Sequence, residues 1–267
     1  MGCCQAKPGG ISKADRAVRW RSTGIVALRD SKIKELPVDV VDIAGSVRTL
    51  DATHNKLGVL PEEIGNFINL QRLILAENLL ERLPSTVGKL RSLKVLTLDS
   101  NRLSLLPEEV GLLQRLERLS VSRNNLNSLP STLGNLSNLI QLDVSQNRLE
   151  TLPESIGNCK SLEELIANDN LLQELPDSVS SLSHLKTLIL SDQKLKQLPP
   201  LLLRNCTALQ SLMLHGTLIT SEQLHQMDGF EGYEERRKRK HDKQLDANVI
   251  IDSRGFDEGV DLHLAHK

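Results

Sequence analysis

The chain has 267 residues, a formal net charge of −1 and only 2% aromatic residues. A near-neutral body argues against general nucleic-acid binding, which needs a surplus of Lys and Arg to neutralise phosphates. So few rings also leave little on which bases or sugars can stack.

The chain opens Met1, Gly2, Cys3, Cys4. Removal of Met1 exposes Gly2, the acceptor for N-myristoylation, and the two cysteines beside it are palmitoylation candidates. The signals belong together, because one myristoyl chain binds a membrane with K only on the order of 10⁴ M⁻¹. A second acyl chain makes the anchoring stable. Ala6 stands where the motif favours Ser or Thr. Residues 1–11 are expected to be a flexible, acylated terminus, with an unmodified terminus as the alternative. Residues 12–22 then read as a short capping helix, with Ser12 as its N-cap and Ala14, Val18 and Trp20 facing inward.

Residues 23–224 carry one repeated pattern. Leucines equivalent to Leu93 recur at Leu70, Leu116, Leu139, Leu162 and Leu185, a constant step of 23 residues. Within the unit, Leu93, Leu96 and Leu98 are followed by Asn101, Leu103, Leu106, Pro107, Val110, Gly111 and Leu113. Such a period marks a leucine-rich repeat, eight or nine copies of which stack as a solenoid. The fold class is α/β: a horseshoe with a parallel concave sheet and short helical or 3-10 convex segments. One strand with a single apolar face cannot bury it alone, so each turn depends on its neighbours.

The asparagines Asn55, Asn78, Asn101, Asn124, Asn147 and Asn170 share one place, where the chain leaves the strand. An amide offers two donors and an acceptor, enough to satisfy the turn's backbone groups. Gln193 and Thr217 break this ladder towards the end. The prolines from Pro61 to Pro176 open the outer segment with a preset φ. Gly65, Gly88, Gly111, Gly134 and Gly157 allow either tight packing or positive φ. Residues 225–245 change character. Phe230 and Tyr233 are placed to dock a helix on the last turn, and a run from Glu234 to Lys243 forms its charged extension. Glu and Asp interleave in that run, which favours a solvated cap over a lipid or import patch. Residues 246–267 read as a mobile tail.

Cys159 and Cys206 fall at leucine places and behave as small buried hydrophobes. Paired cysteine caps, an apolar signal region and an 18-residue apolar run are missing from the sequence. A reducing, cytoplasmic setting at the inner face of a membrane is expected, with the nucleus as the alternative.

The L-x-x-L-x-L-x-x-N-x-L-x-x-L-P-x-x-[IVL]-G unit resembles the Ras-group class of intracellular leucine-rich-repeat proteins, which has plant members. The likeness extends to the branch of leucine-rich repeat-containing protein fifty-seven, through Met1, Gly2, the segment Thr23, Gly24, Ile25, and Gly229 to Tyr233. The resemblance implies a horseshoe and a non-catalytic signalling adaptor, in some relatives acting around small GTPases.

Residues between the inward leucines face the concave wall. Asp51 and Asp143 lie four strands apart, roughly 19 Å, too far for a glycosidase pair. Asp30, His54 and Glu77 share a column, but such rim charges are usually solvated rather than metal ligands. No phosphate loop or catalytic motif occurs, so no catalytic residue, metal or cofactor is assigned. The wall fits a protein partner instead. Arg102, Arg118, Arg123 and Arg148 are expected to converge near its middle beside Asp143 and Asp169, with Ile74, Ile166 and Ile189 as apolar contacts. The chain is expected to act as a monomer, reaching the membrane through its acyl chains and binding no nucleic acid.

Overall fold

The computed structural model describes residues 13–246. Nine strands run parallel in one sheet, and their order in space is their order in the chain. They are β1 (Ile25–Ala27), β2 (Thr49–Asp51), β3 (Arg72–Ile74), β4 (Val95–Thr97), β5 (Arg118–Ser120), β6 (Gln141–Asp143), β7 (Glu164–Ile166), β8 (Thr187–Ile189) and β9 (Ser211–Met213). The central residue of each strand pairs with its equivalent in the next turn, from Val26 with Leu50 to Leu188 with Leu212. These central residues are sealed, Leu119 being the most exposed at 1%. Burial of each leucine is worth roughly 1.5–3 kcal/mol, repeated turn after turn. The expected α/β solenoid is the fold.

Between strands the chain returns along the outer wall. In the middle turns it does so as 3-10 segments: Glu62–Asn66, Ser85–Lys89, Glu108–Leu112, Ser131–Asn135, Glu154–Asn158 and Asp177–Ser181. Each opens on a proline whose φ lies between −64° and −69°, the value its ring dictates. A 3-10 turn is narrower than an α turn, which keeps the outer wall tightly stacked. The row of outer glycines serves that stacking and not positive φ. A Cβ on Gly88 would stand 2.8 Å from the Glu109 carbonyl oxygen, and one on Gly134 would overlap the Ser155 backbone.

The asparagine row ties turn to turn. Asn101 Nδ2 donates to Leu75 O of the preceding turn and to Leu98 O of its own, both at 2.9 Å, while its Oδ1 accepts from Leu80 N at 3.0 Å. Asn55, Asn78, Asn124, Asn147 and Asn170 donate in the same way. The residue before each is left-handed: His54, Glu77, Ser100, Arg123, Gln146 and Asp169 have φ between 52° and 55°. That conformation costs a side chain on the order of 1–2 kcal/mol. The amide bonds on either side hold it in place.

The ends are closed differently. Helix α1 (Lys13–Thr23) covers the start of the sheet, with Trp20 only 7% exposed. Val18, expected to face inward, is 67% exposed instead. The helix is anchored by its far end: Gly24, at φ 70°, turns its N–H back onto Trp20 O at 2.8 Å. Side chains at 12 and 14 lie outside the described residues. Helix α2 (Val38–Val41) fills the first outer segment, and α3 (Leu202–Asn205) replaces the 3-10 turn where one residue is inserted.

At the other end, α4 (Ser221–His225) starts with a Thr220–Gln223 capping box and leads into α5 (Phe230–Asp246). Tyr233 is buried at 1%. Arg236, expected to belong to the solvated basic run, turns inward: its Nε donates to Leu209 O at 2.9 Å and a terminal nitrogen to Leu203 O at 3.2 Å. Both carbonyls belong to the last turn, so the guanidinium fork ties α5 to it. Cys159 and Cys206 are free, buried, and their thiols are pushed up to about 11 by that burial.

Candidate functional site

On the concave wall the strand residues either side of the buried leucines are exposed or half-buried from β1 to β8. Ile74, Asp143, Ile166 and Ile189 each close a strand there and are half-buried. Asp143 pairs with Ile166 and Ile166 with Ile189, making one continuous run across β6, β7 and β8. Ile74 stands apart from it. Thr97 and Ser120 intervene on β4 and β5, so Ile74 lies four strands, roughly 19 Å, from Ile166.

The four arginines do not form a single cluster. Arg118 opens β5 at the strand-entry edge. Arg123 follows the strand in the left-handed place, and Arg102 and Arg148 sit two residues further on in their own turns, at the strand-exit edge. Five residues at ~3.3 Å set the separation of Arg118 and Arg123 at no more than roughly 16 Å. Sequence spacing shows the shared repeat but not the bend that divides the two edges. All four are exposed. Arg123 Nε donates to Gln146 Oε1 at 2.8 Å, which orients its guanidinium. The side chains of Arg102, Arg118 and Arg148 have no partner among the described residues.

The carboxylates are less free than the sequence suggests. Asp143 Oδ1 accepts from Ser145 N at 3.0 Å and Ser145 Oγ at 2.7 Å. Asp51 does the same for Thr53, and Asp99, which sequence reasoning did not single out, does it for Ser120 and Ser122. The available signal was Thr or Ser two places after Asp51 and Asp143, and for Asp99 the serines one repeat further on. Asp169 accepts from Asn168 Nδ2 at 2.6 Å. Near the first turns His54 Nδ1 lies 2.5 Å from Asp30 Oδ1, both side chains being exposed. That hydrogen bond, then the Asp30 charge, raises the His54 pKa above its usual value. Among the described residues no three His, Cys, Asp or Glu side chains are grouped as metal ligands. Gly2, Cys3 and Cys4 lie outside the described residues. No described helix is long and apolar enough to cross a membrane.

Comparison with known proteins agrees with the repeat. Residues 87–171 match the model of a leucine-rich repeat region and residues 46–67 that of a single leucine-rich repeat. A protein of Oryza sativa subsp. japonica, plant intracellular Ras-group-related LRR protein 7, is 68% identical over 263 residues, covering 98% of this chain and 100% of its own. The chain belongs to this plant intracellular Ras-group-related family. A second rice relative of that family, LRR protein 8, is 41% identical over 78 residues, 27% of this chain and 21% of its own. Among solved structures, the plant peptide hormone receptor RGFR1 in complex with RGF2 aligns with 34% identity and a TM-score of 0.62, over 69% of this chain and 31% of the receptor. The complex of PEPR1 with AtPEP1 aligns with 28% identity and a TM-score of 0.58, over 68% of this chain and 30% of that one. The family member described here thus spans about a third of those receptor chains.

Proposed function

We propose that this chain is a non-catalytic intracellular scaffold that holds another protein on its concave face, tethered to a membrane through acyl groups on Gly2 and on Cys3 or Cys4. One observation carries the reading. The fold uses its asparagines, the strand-exit carboxylates and Arg236, but leaves Arg102, Arg118 and Arg148 exposed and unpaired on one wall. Guanidinium groups take carboxylates as planar forks, and the Ile166–Ile189 run supplies apolar contact beside them. Arginines next to such a patch are where interfaces concentrate their affinity. The two solved neighbours hold ligands in their complexes. The Ras-group name of the rice relative supports a small GTPase or its regulator as the partner class.

Affinity recovery of partners with the full chain tests this. Changing Arg102, Arg118, Arg123 and Arg148 to Glu is expected to abolish recovery, and unchanged recovery removes the concave face from the account. Gly2→Ala is expected to shift the chain from the membrane fraction. An unchanged distribution would favour an untethered cytosolic or nuclear adaptor using the basic end of the chain. That rival is the weaker one, since Arg236 is spent on the cap and Arg237 and Arg239 pair with Glu234 and Glu235 at 3.1 and 3.3 Å.

A further inference from the structure

The two sides of the solenoid differ in charge. On the strand-entry side, four legs bring the chain back from the outer wall to β2, β3, β4 and β5, over residues 47–49, 66–72, 89–95 and 112–118. Together they carry seven lysines and arginines against one acid, Glu117. The strand-exit legs of the same turns, residues 28–37, 52–61, 75–84 and 98–107, carry six against five. The next four strand-entry legs, residues 135–141, 158–164, 181–187 and 205–211, carry two against two. A chain of net charge −1 thus keeps one basic side, confined to its first four turns.

All seven side chains are exposed. Two of them are engaged: Lys94 pairs with Glu117 at 2.7 Å, and Arg91 donates to Leu112 O at 2.6 Å. Arg48, Arg72, Lys89, Arg115 and Arg118 have no partner among the described residues. Two stems lie over the preceding turn, since a Cβ on Gly24 would stand 3.3 Å from Arg48 Cγ and one on Gly65 3.0 Å from Lys89 Cδ. Lys94 and Arg115 line one depression with Ile140. Ile68, which takes in its leg the place of Arg91 in the next, is 59% exposed. The one ring on these legs, Phe67, is buried.

Cations around an exposed aliphatic side chain suit an anionic bilayer. The headgroups meet the charges, and an isoleucine gains by entering the boundary between headgroups and acyl chains. A nucleic acid would gain nothing from Ile68 and would find no exposed ring on which to stack. The place in the chain agrees. Gly24 directly follows α1, so Arg48 adjoins the helix through which an acylated terminus enters the fold.

We propose that the strand-entry side of the first four turns lies on an anionic phospholipid surface, with Arg48, Arg72, Lys89 and Arg115 on the headgroups and Ile68 as the apolar contact. This rests on the membrane reading above and deepens it. One acyl chain anchors only marginally, and the fold supplies the second signal whether or not Cys3 or Cys4 is acylated. Arg102, Arg123 and Arg148, on the strand-exit edge, stay open to a protein partner. Arg118 borders both surfaces and is left unchanged in the test.

The test uses the full chain carrying Gly2→Ala, so that no myristoyl group contributes. It is pelleted with vesicles of phosphatidylcholine and phosphatidylserine in a ratio of about two to one. Binding is expected, and a loss of roughly tenfold or more on changing Arg48, Arg72, Lys89 and Arg115 to Glu. Pure phosphatidylcholine, or salt at about 1 M, should cause a similar loss. Ile68→Asn is expected to weaken binding by a smaller factor. Urea unfolding should match that of the parent, because the four side chains are exposed and unpaired. Reversing Lys32, Lys34, Lys56 and Arg82 on the strand-exit side changes the net charge equally and is expected to leave most of the binding. Absence of binding, equal loss from the two sets, indifference to phosphatidylserine, or loss only on reversal of Lys238 in α5 overturns the proposal. So does capture of labelled polyuridylate in preference to vesicles, with the same dependence on the four residues. If the vesicle results stand and Gly2→Ala leaves the cellular distribution unchanged, the acyl reading falls alone. If Gly2→Ala releases the chain from membranes but the vesicles show no preference for charge, the lipid surface falls alone.

Discussion

Asn124, in the middle of the coil, and Gln193, near its end, occupy the same place in the repeat and differ by one methylene. Asn124 donates to Leu98 O and Val121 O at 3.0 Å each and accepts from Leu103 N at 2.9 Å. Gln193 keeps a single donation, to Ala167 O at 2.7 Å, and its Oε1 is buried without a partner. One turn later Thr217 Oγ1 donates to Leu214 O at 2.8 Å and accepts from Ile219 N at 3.4 Å, both within its own turn. The middle of the molecule is thus held by one device repeated, and its end by several different ones. Tyr233, Arg236 and the Thr220 box take over where the amide row fades.

The sharpest way to break this contrast is Asn124→Ala. It strands the Leu103 amide hydrogen in a buried place and takes one of two side-chain donors from Leu98 O and Val121 O, which keep Asn101 and Asn147, so a loss of about 3 kcal/mol is expected in urea unfolding of the full chain. Gln193→Ala removes one bond together with an already unpaired oxygen and is expected to cost about 1 kcal/mol. Equal losses would dissolve the distinction. Gln193→Asn should work the other way, restoring the acceptor and raising the midpoint slightly.

Tyr233→Ala is expected to cost about 3–4 kcal/mol, within the range for large buried rings. The damage should stay local, because turns of a solenoid feel mainly their neighbours. Amide exchange would then quicken at β8 and β9 and remain unchanged at β3 to β5. Uniform quickening would mean that the cap governs the whole coil. A smaller effect separates two glycines of the return path. Gly134→Ala overlaps Ser155 and should cost about 1–3 kcal/mol, whereas Gly58, with nothing within 4 Å of an added Cβ, should accept Ala at no loss.

What the sequence made legible follows the same division. The 23-residue step and the Leu, Asn and Pro rows fixed the sheet, its register and its outer segments, because every turn repeats the same burial problem. The glycine row left two readings open, and only the closeness of Ser155 or Glu109 decides for packing. The left-handed row was invisible, since His, Glu, Ser, Arg, Gln and Asp share no side-chain property that asks for positive φ. It belongs to the bend by which each turn leaves its strand, since Asp30 and Asp192 take it too with Ser31 and Gln193 behind them. Arg236 was hidden among other basic residues, and only its two bonds to carbonyls of the last turn single it out. The exposed wall was legible by column but not by edge. A constant spacing records which turn a residue belongs to, and the bend after each strand decides which arginines are neighbours.

The left-handed row also gives the smallest effect. His54 and Asp30 belong to adjacent turns and meet because both stand where the chain leaves its strand. The Asp30 hydrogen bond is the largest cause of the raised His54 pKa, its charge the second, and Glu77 adds the least. A raised value favours the protonated ring in the folded chain. Its stabilising contribution is therefore complete below the unfolded value of ~6.5 and disappears as pH rises through the folded one. Both groups are in water, so the thermal midpoint should barely move. The ring's own titration reports the pair instead. In proton NMR the His54 midpoint is expected above the usual histidine value, to return there with Asp30→Asn, and to shift only slightly with Glu77→Gln. A midpoint insensitive to Asp30 would mean that the two side chains do not meet in solution, and that the first turns are held by their backbone bonds alone.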